Sequence, residues 1–268
     1  IIVENSMKFL HKNYFTKKFS NVEVICTGLN LGYGKGNNFG LNKVKTDYAL
    51  ILNPDIVCEA NFFNKIGKLI QKNNKFSIIG CQYSNDTAYL PAGFFDKKKN
   101  NDFQKNFFKK KKELTKVDWV TGCSMLINFK KFKNKKIFDK NYFLYFEEFD
   151  LCKSVNDKGG LVYSSNNLRV YHMGFKGSLG ASAKFKNEAN RLRDWHWMWS
   201  YFYFYKKNYN YLYALLKISG KFFKSIFKTI FYVLLFDKFN RDKYLFRFLG
   251  LLFSILGFNS NYRGGRFY

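Results

Sequence analysis

Apolar residues in the first third of the chain recur in short runs that polar turns separate. These runs predict strands at residues 1–3, 22–26, 48–53 and 76–81. Between them we predict helices at residues 7–15, 37–45 and 60–72. Alternating strands and helices are typical of a sheet flanked by helices. The pattern therefore predicts an α/β fold with a mostly parallel, Rossmann-like sheet.

The middle of the chain changes character twice. Residues 96–113 are rich in Lys and Asn, which indicates a solvated loop. Strand character returns at 117–127, where Gly122 interrupts it, and again at 168–171, just before His172.

An aromatic run in the same part of the chain contains three carboxylates, Glu147, Glu148 and Asp150. They stand at the predicted start of a helix, where acidic side chains complement the helix dipole. The flanking aromatic residues imply that part of the cluster is buried. A buried carboxylate needs a partner or a chemical role.

The pattern in the last third of the chain predicts helices that have a basic face and an apolar face. Lysines 217, 221, 224 and 228 fall on one helical face beside Phe, Leu and Ile side chains. This pattern favours two interpretations, a helix in a membrane interface or a helix packed on the preceding domain. The apolar stretch 248–258 is shorter than the ~20 residues that span a bilayer. We predict two parts, a domain over 1–185 and an amphipathic helical region over 186–268.

Composition narrows the class of protein. A hydrophobic content of 47% with 21% aromatic residues excludes general disorder. The net charge of +27 comes mostly from lysine and favours an anionic partner. Because Asn, Phe, Tyr and Ile are also abundant, part of that charge reflects an AT-rich coding bias. Five scattered cysteines form no zinc-like or CxxC spacing, and no signal peptide is visible. We therefore expect a cytoplasmic protein with reduced thiols.

One stretch combines two features of a ligand site. Residues 28–36 form a glycine- and asparagine-rich loop, and the apolar run 48–52 ends at Asn53-Pro54-Asp55. Glycine lets the backbone approach a ligand closely. A carboxylate at the carboxyl end of a buried strand lies where open α/β sheets bind ligands.

These segments together resemble the family 2 glycosyltransferases, in particular the rhamnosyltransferase-like branch with a GT-A fold. The similar segments are NLGYGKGNN at 30–38, LNPD at 52–55, DWVTGCSML at 118–126, FDKNYFLYFEEFDLC at 138–152 and VYH at 170–172. Residues 1–6 (IIVENS) resemble the family's second strand. The resemblance therefore implies that a first strand would precede Ile1, and that this sequence is truncated at its N-terminus.

The resemblance implies a role for each motif. Asp55 and His172 would hold a divalent cation, Mg²⁺ or Mn²⁺, and Glu148 would be the catalytic base. The residues that would bind the sugar donor are Glu4, Asn30, Gly36, Asn37, Asn38 and Asn53. The residues that would lie on the acceptor side of the site are Trp119, Gly122, Glu147 and Asp150. The family usually has Asp where this chain has Glu148, so the base is one methylene longer.

The implied activity is metal-dependent, inverting transfer of a sugar, with rhamnose favoured by the branch. The donor would be a dTDP- or UDP-sugar, and the acceptor a glycan or lipid-linked hydroxyl in cell-surface polysaccharide synthesis. We expect a peripheral position on the inner face of the plasma membrane, an anionic membrane surface as partner, and no nucleic acid.

Three alternatives stay open. A basic nucleic-acid- or membrane-binding module would explain the charge but not the LNPD and EEFD segments. A nucleotidyltransferase would share the α/β plan but carry a glycine-rich loop with a basic residue before the first strand. An inactive homologue would keep the motifs without the chemistry.

Overall fold

The computed structural model describes residues 1–83, 91–106, 112–173 and 183–263. The strands are β1 (Ile2–Glu4), β2 (Val24–Cys26), β3 (Tyr48–Leu52), β4 (Ile56–Cys58), β5 (Ile78–Tyr83), β6 (Ala92–Gly93), β7 (Leu114–Lys116), β8 (Trp119–Val120), β9 (Ser124–Asn128) and β10 (Val162–His172). The α-helices are α1 (Lys12–Lys18), α2 (Tyr33–Leu41), α3 (Phe62–Lys72), α4 (Lys97–Asn106), α5 (Glu147–Asp157), α6 (Ala183–Asn208), α7 (Tyr211–Leu234) and α8 (Lys238–Ile255).

The central sheet has the order β3-β9-β5-β10-β4, with β7 also pairing with β10. An α/β fold followed by a helical C-terminal region is thereby confirmed. The expectation of a mostly parallel sheet is wrong, because β9 runs antiparallel to both β3 and β5, and β4 and β7 run antiparallel to β10. The chain passes from β8 through residues 121–123 into β9, which lies between β3 and β5. Only β5 and β10 pair in parallel within this described sheet.

Apolar residues cover both faces of the sheet. The neighbours Ile78 and Ile79 on β5 are each fully buried, yet they belong to different clusters because successive side chains point to opposite faces. Helices α2, α4 and α5 cover the Ile78 face, and α3 covers the Ile79 face. A sheet buried on both sides leaves ligand access at the ends of its strands.

Three segments differ from the sequence prediction. Residues 97–106 form α4 rather than a loop, because Phe103 anchors this lysine-rich helix in the core. The remainder of the predicted loop, residues 107–111, lies outside the described residues. Helix α2 begins at Tyr33, inside the glycine-rich stretch, and α1 begins at Lys12 rather than at residue 7.

The C-terminal helices pack on one another and on the α/β part. Met198, Phe202, Ala214, Ile218 and Leu251 form the core that α6, α7 and α8 share. Helix α6 begins at Ala183, close to the predicted boundary after 185, but the division into two domains stays a prediction. None of the helices in the described residues is both long enough and apolar enough to cross a membrane.

Candidate active site

The predicted metal ligands Asp55 and His172 lie together at one edge of the sheet. Antiparallel pairing of β4 with β10 places Ile56 opposite His172, and the Asp55 carbonyl accepts a hydrogen bond from Met173 at 2.9 Å. The Oδ2 atom of Asp55 lies 3.5 Å from Nε2 of His172. Residues 117 positions apart in sequence thus meet because a short strand folds back beside β10.

The chemistry of these two residues fits a divalent cation. Asp55 is only 7% exposed, and its Oδ1 has no hydrogen-bond partner in the described part of the chain. Burying a carboxylate oxygen without a hydrogen-bond partner costs folding free energy unless a bound ligand pairs with that oxygen. Among the described residues no three His, Cys, Asp or Glu side chains converge as a full metal cage. A cation such as Mg²⁺ that binds one or two protein groups, water and substrate phosphates matches this donor set.

A residue that the sequence analysis missed, Tyr83, connects this pair to the next part of the site. Its ring stacks on His172 at 5.5 Å with an interplanar angle of 19°. Its hydroxyl lies 2.8 Å from Thr121 Oγ1 and 2.6 Å from Cys123 Sγ. Burial raises the pKa of Tyr83, so the hydroxyl stays neutral. Its place at the end of β5, in a fully buried strand, is the only sequence signal for it.

The glycine-rich segment approaches the acidic helix from the other side. Gly32 has φ +83°, and a Cβ there would overlap the carbonyl of Phe143. This close approach lets the Tyr33 amide donate to the Phe143 carbonyl at 2.8 Å. The Tyr33 hydroxyl donates to the Gly122 carbonyl at 2.5 Å, which ties the start of α2 to the turn before β9.

Glu147 and Glu148 begin α5 in a low-dielectric environment. Glu147 is 3% exposed and Glu148 is half-buried, and the Oε2 atom of each has no hydrogen-bond partner among the described residues. Burial raises the pKa of Glu148 to about 7. Burial, and then the charge of Glu148, raise the pKa of Glu147 well above its ordinary range. A carboxyl that titrates near neutral pH is suited to general-base catalysis.

The two glutamates are placed by a strained turn. Tyr145 and Phe146, directly before α5, both have left-handed backbones, with φ of 69° and 68°. Such a conformation costs ~1–3 kcal/mol per residue and persists only where packing enforces it. The rings of both residues pack edge-on against Trp197 of α6, at 5.1 Å and 5.3 Å. Helix α6 therefore holds the turn that orients the carboxylates.

Asp150, predicted on the acceptor side, is engaged by helix α6. Lys207 Nζ lies 2.6 Å from Asp150 Oδ2, and Asn208 donates to Asp150 Oδ1 at 2.9 Å. Lys207 also pairs with Asp139 at 2.7 Å. The sequence did not single out Lys207, which stands in an aromatic run with no motif. The acceptor-side role of Asp150 stays a prediction beside this structural one.

Trp119, on β8, and Gly122, in the turn after it, are the other two acceptor-side candidates. The Trp119 ring makes an edge contact with Phe149 at 4.9 Å, and Gly122 lies beneath the Tyr33 hydroxyl. The charges of Glu148 and Asp55 both raise the pKa of Cys123, after burial as the main cause. Both carboxylates thus act electrostatically on the same thiol, which directly follows Gly122 in the turn before β9.

Most predicted donor-binding side chains stabilise the glycine-rich segment. Asn38 makes two hydrogen bonds with the backbone of Phe138, at 2.8 and 3.1 Å, and Asn37 donates to Tyr33. Asn30 accepts from the Gly32 amide and from Asn5. Asn5 also packs against Gly36, where an added Cβ would lie 3.2 Å from its amide.

The other two donor candidates sit at strand ends. Glu4 ends β1, and its carbonyl accepts from Thr27 at 3.0 Å. Asn53 follows β3, and its amide donates to the Cys123 carbonyl at 2.9 Å. Donor binding by all six residues stays a prediction.

A separate cavity of about 640 Å³ lies between α6 and α8. Its lining residues do not include any of the carboxylates described above. Two of its arginines are already in ion pairs, Arg191 with Asp242 and Arg247 with Asp194. We therefore place the candidate active site at Asp55, His172, Glu147 and Glu148.

Comparison with known proteins agrees with these motifs. Residues 7–135 match the family model Glycosyl transferase family 2. Rhamnosyltransferase WbbL from Escherichia coli (strain K12) is 30% identical over 171 residues, covering 57% of this chain and 64% of that protein. Low-salt glycan biosynthesis hexosyltransferase Agl10 from Haloferax volcanii is 24% identical over 161 residues, covering 57% of this chain and 51% of that protein. The chain thus matches less than two thirds of the length of either relative.

Among solved structures, the mannosyltransferase PcManGT from Pyrobaculum calidifontis, in complex with GDP-Man and Mn²⁺, superposes with a TM-score of 0.49. That alignment is 8% identical and covers 94% of this chain and 76% of that chain. The family match ends before Glu147, Glu148 and His172. The motif resemblance is thereby confirmed over residues 7–135, where this chain is similar to glycosyl transferase family 2 and to the two named transferases.

Proposed function

We propose that this protein is a metal-dependent, inverting glycosyltransferase that moves a sugar from a nucleotide diphosphate to an acceptor hydroxyl. The observation that carries the proposal is a group of three buried carboxylate oxygens without partners among the described residues. They are Oδ1 of Asp55, Oε2 of Glu147 and Oε2 of Glu148. Structural carboxylates in this protein, such as Asp150, are paired, so unpaired ones indicate a site awaiting ligands.

Asp55 and His172 would hold Mg²⁺ or Mn²⁺, which when bound neutralises the charge that develops on the diphosphate leaving group. Glu148 accepts the proton of the acceptor hydroxyl as that oxygen attacks the anomeric carbon. Because its pKa is raised to about 7, Glu148 is a stronger base than an exposed glutamate. Direct displacement with one base inverts the anomeric centre. Glu4, Asn53 and the segment at 30–38 would hold the nucleotide sugar.

The donor in this proposal is a dTDP- or UDP-sugar, and rhamnose is the favoured sugar. The support is the 30% identity with a rhamnosyltransferase, which covers only part of both chains. The acceptor is a glycan or lipid-linked glycan in cell-envelope polysaccharide synthesis. A place in the cytoplasm, on the inner face of the plasma membrane, suits such an acceptor and the net charge of +27.

The test is a panel of dTDP- and UDP-sugars with the full chain, measuring nucleotide release with Mn²⁺, with Mg²⁺ and with a chelator. We expect metal-dependent turnover of one donor class. Glu148→Gln should lower kcat by roughly 10³-fold, within the usual range for a general base. It should leave nucleotide affinity within twofold. The rate of the unmodified protein should rise as pH increases through about 7, because Glu148 acts ionised.

Matched controls separate site chemistry from general damage. Glu23→Gln changes an exposed glutamate and should leave kcat unchanged. Asp55→Asn should abolish the metal dependence of nucleotide binding, whereas Asp47→Asn, at an exposed surface ion pair, should not. Full activity of Glu148→Gln would reject Glu148 as the base. A folded chain that binds no nucleotide sugar in any condition would favour the inactive-homologue alternative.

A further inference from the structure

Helix α7 keeps a continuous apolar surface away from the rest of the protein. We define the outer face of α7 as six side chains at the 4–7–4–3–4 spacing of one helical stripe. They are Leu212, Leu216, Phe223, Phe227, Ile230 and Leu234. Each is 57% to 75% exposed. At a rise of 1.5 Å per residue the stripe is ~33 Å long. Contiguous apolar surface on this scale marks an interaction site on a soluble protein.

The opposite face of α7 already makes the contacts that the fold needs. Ala214, Ile218 and Ser225 are buried, and Ala214 and Ile218 belong to the core shared with α6 and α8. Packing on a neighbour and an exposed apolar face are therefore both features of this helix. It packs on its neighbours through one face and leaves another apolar face exposed. The outer face therefore contributes nothing to the internal core of the described protein.

The turn after α7 extends the outer face to its most exposed point. Leu235 is 57% exposed and Phe236 is 94% exposed. Phe236 also has a left-handed backbone, with φ of 55°. Glycine is the residue that suits this conformation after a helix, and a bulky side chain there is strained. The Phe236 ring contacts almost nothing in the fold although its backbone is strained. This combination indicates that the ring binds a partner rather than stabilising the protein.

A row of lysines lies along one side of the outer face. Lys217, Lys221 and Lys224 are exposed, and Lys228 is half-buried. The aliphatic stems of Lys217 and Lys221 pass aromatic rings, so Lys217 Nζ lies 5.6 Å from the Tyr213 ring and Lys221 Nζ lies 5.2 Å from the Tyr201 ring. No acidic residue occurs in α7. Within α7 itself, the apolar stripe is therefore bordered by positive charge alone, and the nearest carboxylate in sequence is Asp237, after the turn.

We infer that the outer face of α7 and the turn at Phe236 dock on an anionic lipid bilayer. The apolar stripe would lie in the interface parallel to the membrane plane, with the lysine row against lipid phosphates. A second copy of this chain would suit the apolar stripe but would bring two unbalanced lysine rows together. An anionic bilayer suits both features. The inference rests on the proposed function in one respect: membrane docking would give the enzyme access to a lipid-linked acceptor. Vesicle binding itself does not require sugar transfer.

The experiment is co-sedimentation of the full chain with vesicles of phosphatidylcholine containing about one third phosphatidylglycerol, compared with pure phosphatidylcholine. We expect binding to the anionic vesicles that weakens strongly at about 1 M NaCl, where the Debye length is ~3 Å. Replacing the four lysines by Gln should weaken that binding on the order of 100-fold. The double change Phe223→Ser and Phe227→Ser should weaken it at least ~10-fold.

Phe236→Gly is the most informative variant, because we expect it to weaken vesicle binding without lowering the stability of the fold. Removing the ring should weaken vesicle binding roughly tenfold. Placing glycine at a left-handed position should leave the melting temperature unchanged or raise it. The matched control is Phe63→Ser, which removes a phenylalanine that is 67% exposed on α3 of the α/β part. That control should bind vesicles like the unmodified protein.

Several results would overturn the inference. They are no binding to anionic vesicles, equal binding to neutral vesicles, and equal loss of binding in Phe63→Ser. A dimer in solution that Phe236→Gly converts to a monomer would assign the face to a second copy. Because nucleotide turnover is measured without vesicles, failure here leaves the proposed activity testable, and failure of turnover leaves this result interpretable.

Discussion

The α/β part and the helical C-terminal region differ in what they leave unsatisfied. In the α/β part the strands β5 and β9 are buried along their whole length, while oxygens of Asp55, Glu147 and Glu148 lack partners among the described residues. In the helical region Asp194 and Asp242 are both paired with arginines, while α7 leaves apolar side chains exposed. Unpaired buried charge indicates a polar ligand, and unburied apolar surface indicates an apolar one. The first contrast supports the proposed nucleotide-sugar site, and the second supports the proposed membrane-binding face.

Helix α6 belongs to both regions and connects them. Its inner residues build the helical core, while Trp197 and Lys207 reach the turn before α5 and the Asp150 carboxylate. Helix α5, which carries the proposed base Glu148, is therefore held by the region that would contact the membrane. If the two regions were independent, a substitution in one would not affect the stability or activity of the other. Because α6 contacts both regions, we expect substitutions at these contacts to affect both.

The largest effect on stability is expected where α8 crosses α6. A Cβ at Gly250 would overlap the carbonyl oxygen of Trp195, which is backbone and cannot rotate away. Gly250→Ala should lower the free energy of unfolding by about 3 kcal/mol, as overpacking does. Gly220→Ala is the control, because open space surrounds that helical glycine. It should stabilise by ~0.5–1 kcal/mol. Chemical denaturation measures both, and equal effects would refute the close crossing.

A smaller loss is expected at the ion pair between the two regions. Lys207→Met would leave the Asp150 carboxylate buried with only Asn208 and Tyr142 as partners. Because Lys207 is itself 38% exposed, we expect about 2 kcal/mol rather than the full loss of a buried pair. Lys72→Met, which breaks an exposed pair with Glu113, should have no measurable effect. Similar denaturation midpoints for the two variants would show that Lys207 does not link the regions.

A kinetic change of about tenfold is expected from the strained turn. Trp197→Ala removes the ring that packs on Tyr145 and Phe146, so the turn relaxes and Glu148 loses its orientation. We expect kcat to fall about tenfold with little change in KM for the nucleotide sugar, as misplaced catalytic groups do. Tyr209→Ala, at an exposed position in the same region, is the control. A rise in KM alone would assign Trp197 to binding.

The smallest effect is a pH-dependent gain in stability. The folded-state pKa of Glu147 is raised above its ordinary value of 4.5, so the folded protein holds the proton longer than the unfolded chain. Stability therefore falls as pH rises above 4.5. Glu147→Gln removes this penalty and should stabilise by about 1 kcal/mol or more at pH 8, with no gain at pH 4. Thermal unfolding at both pH values checks this, and an equal gain at both would contradict it.

Some misses of the sequence analysis have a common physical cause. The strand periods were visible, but the direction of β9 depends on a turn at 121–123 that places it between β3 and β5. The lysine-rich segment at 97–106 is helical because one residue, Phe103, finds a place in a distant core. Partners far apart in sequence decided both features, and local pattern carries no information about them.

The sequence by itself determined the α/β class, the resemblance to glycosyl transferase family 2 and the residue types of the candidate site, because motifs and short-range periodicity are properties of the chain alone. It also determined that α7 has an apolar and a basic surface. Tertiary structure alone decided that Tyr83 stacks on His172, that Tyr33 binds the turn at Gly122, and that Asn38 binds the backbone of Phe138. It also decided which face of α7 stays exposed. Burial is set by the elements that pack around a residue, and these come together only in the folded chain.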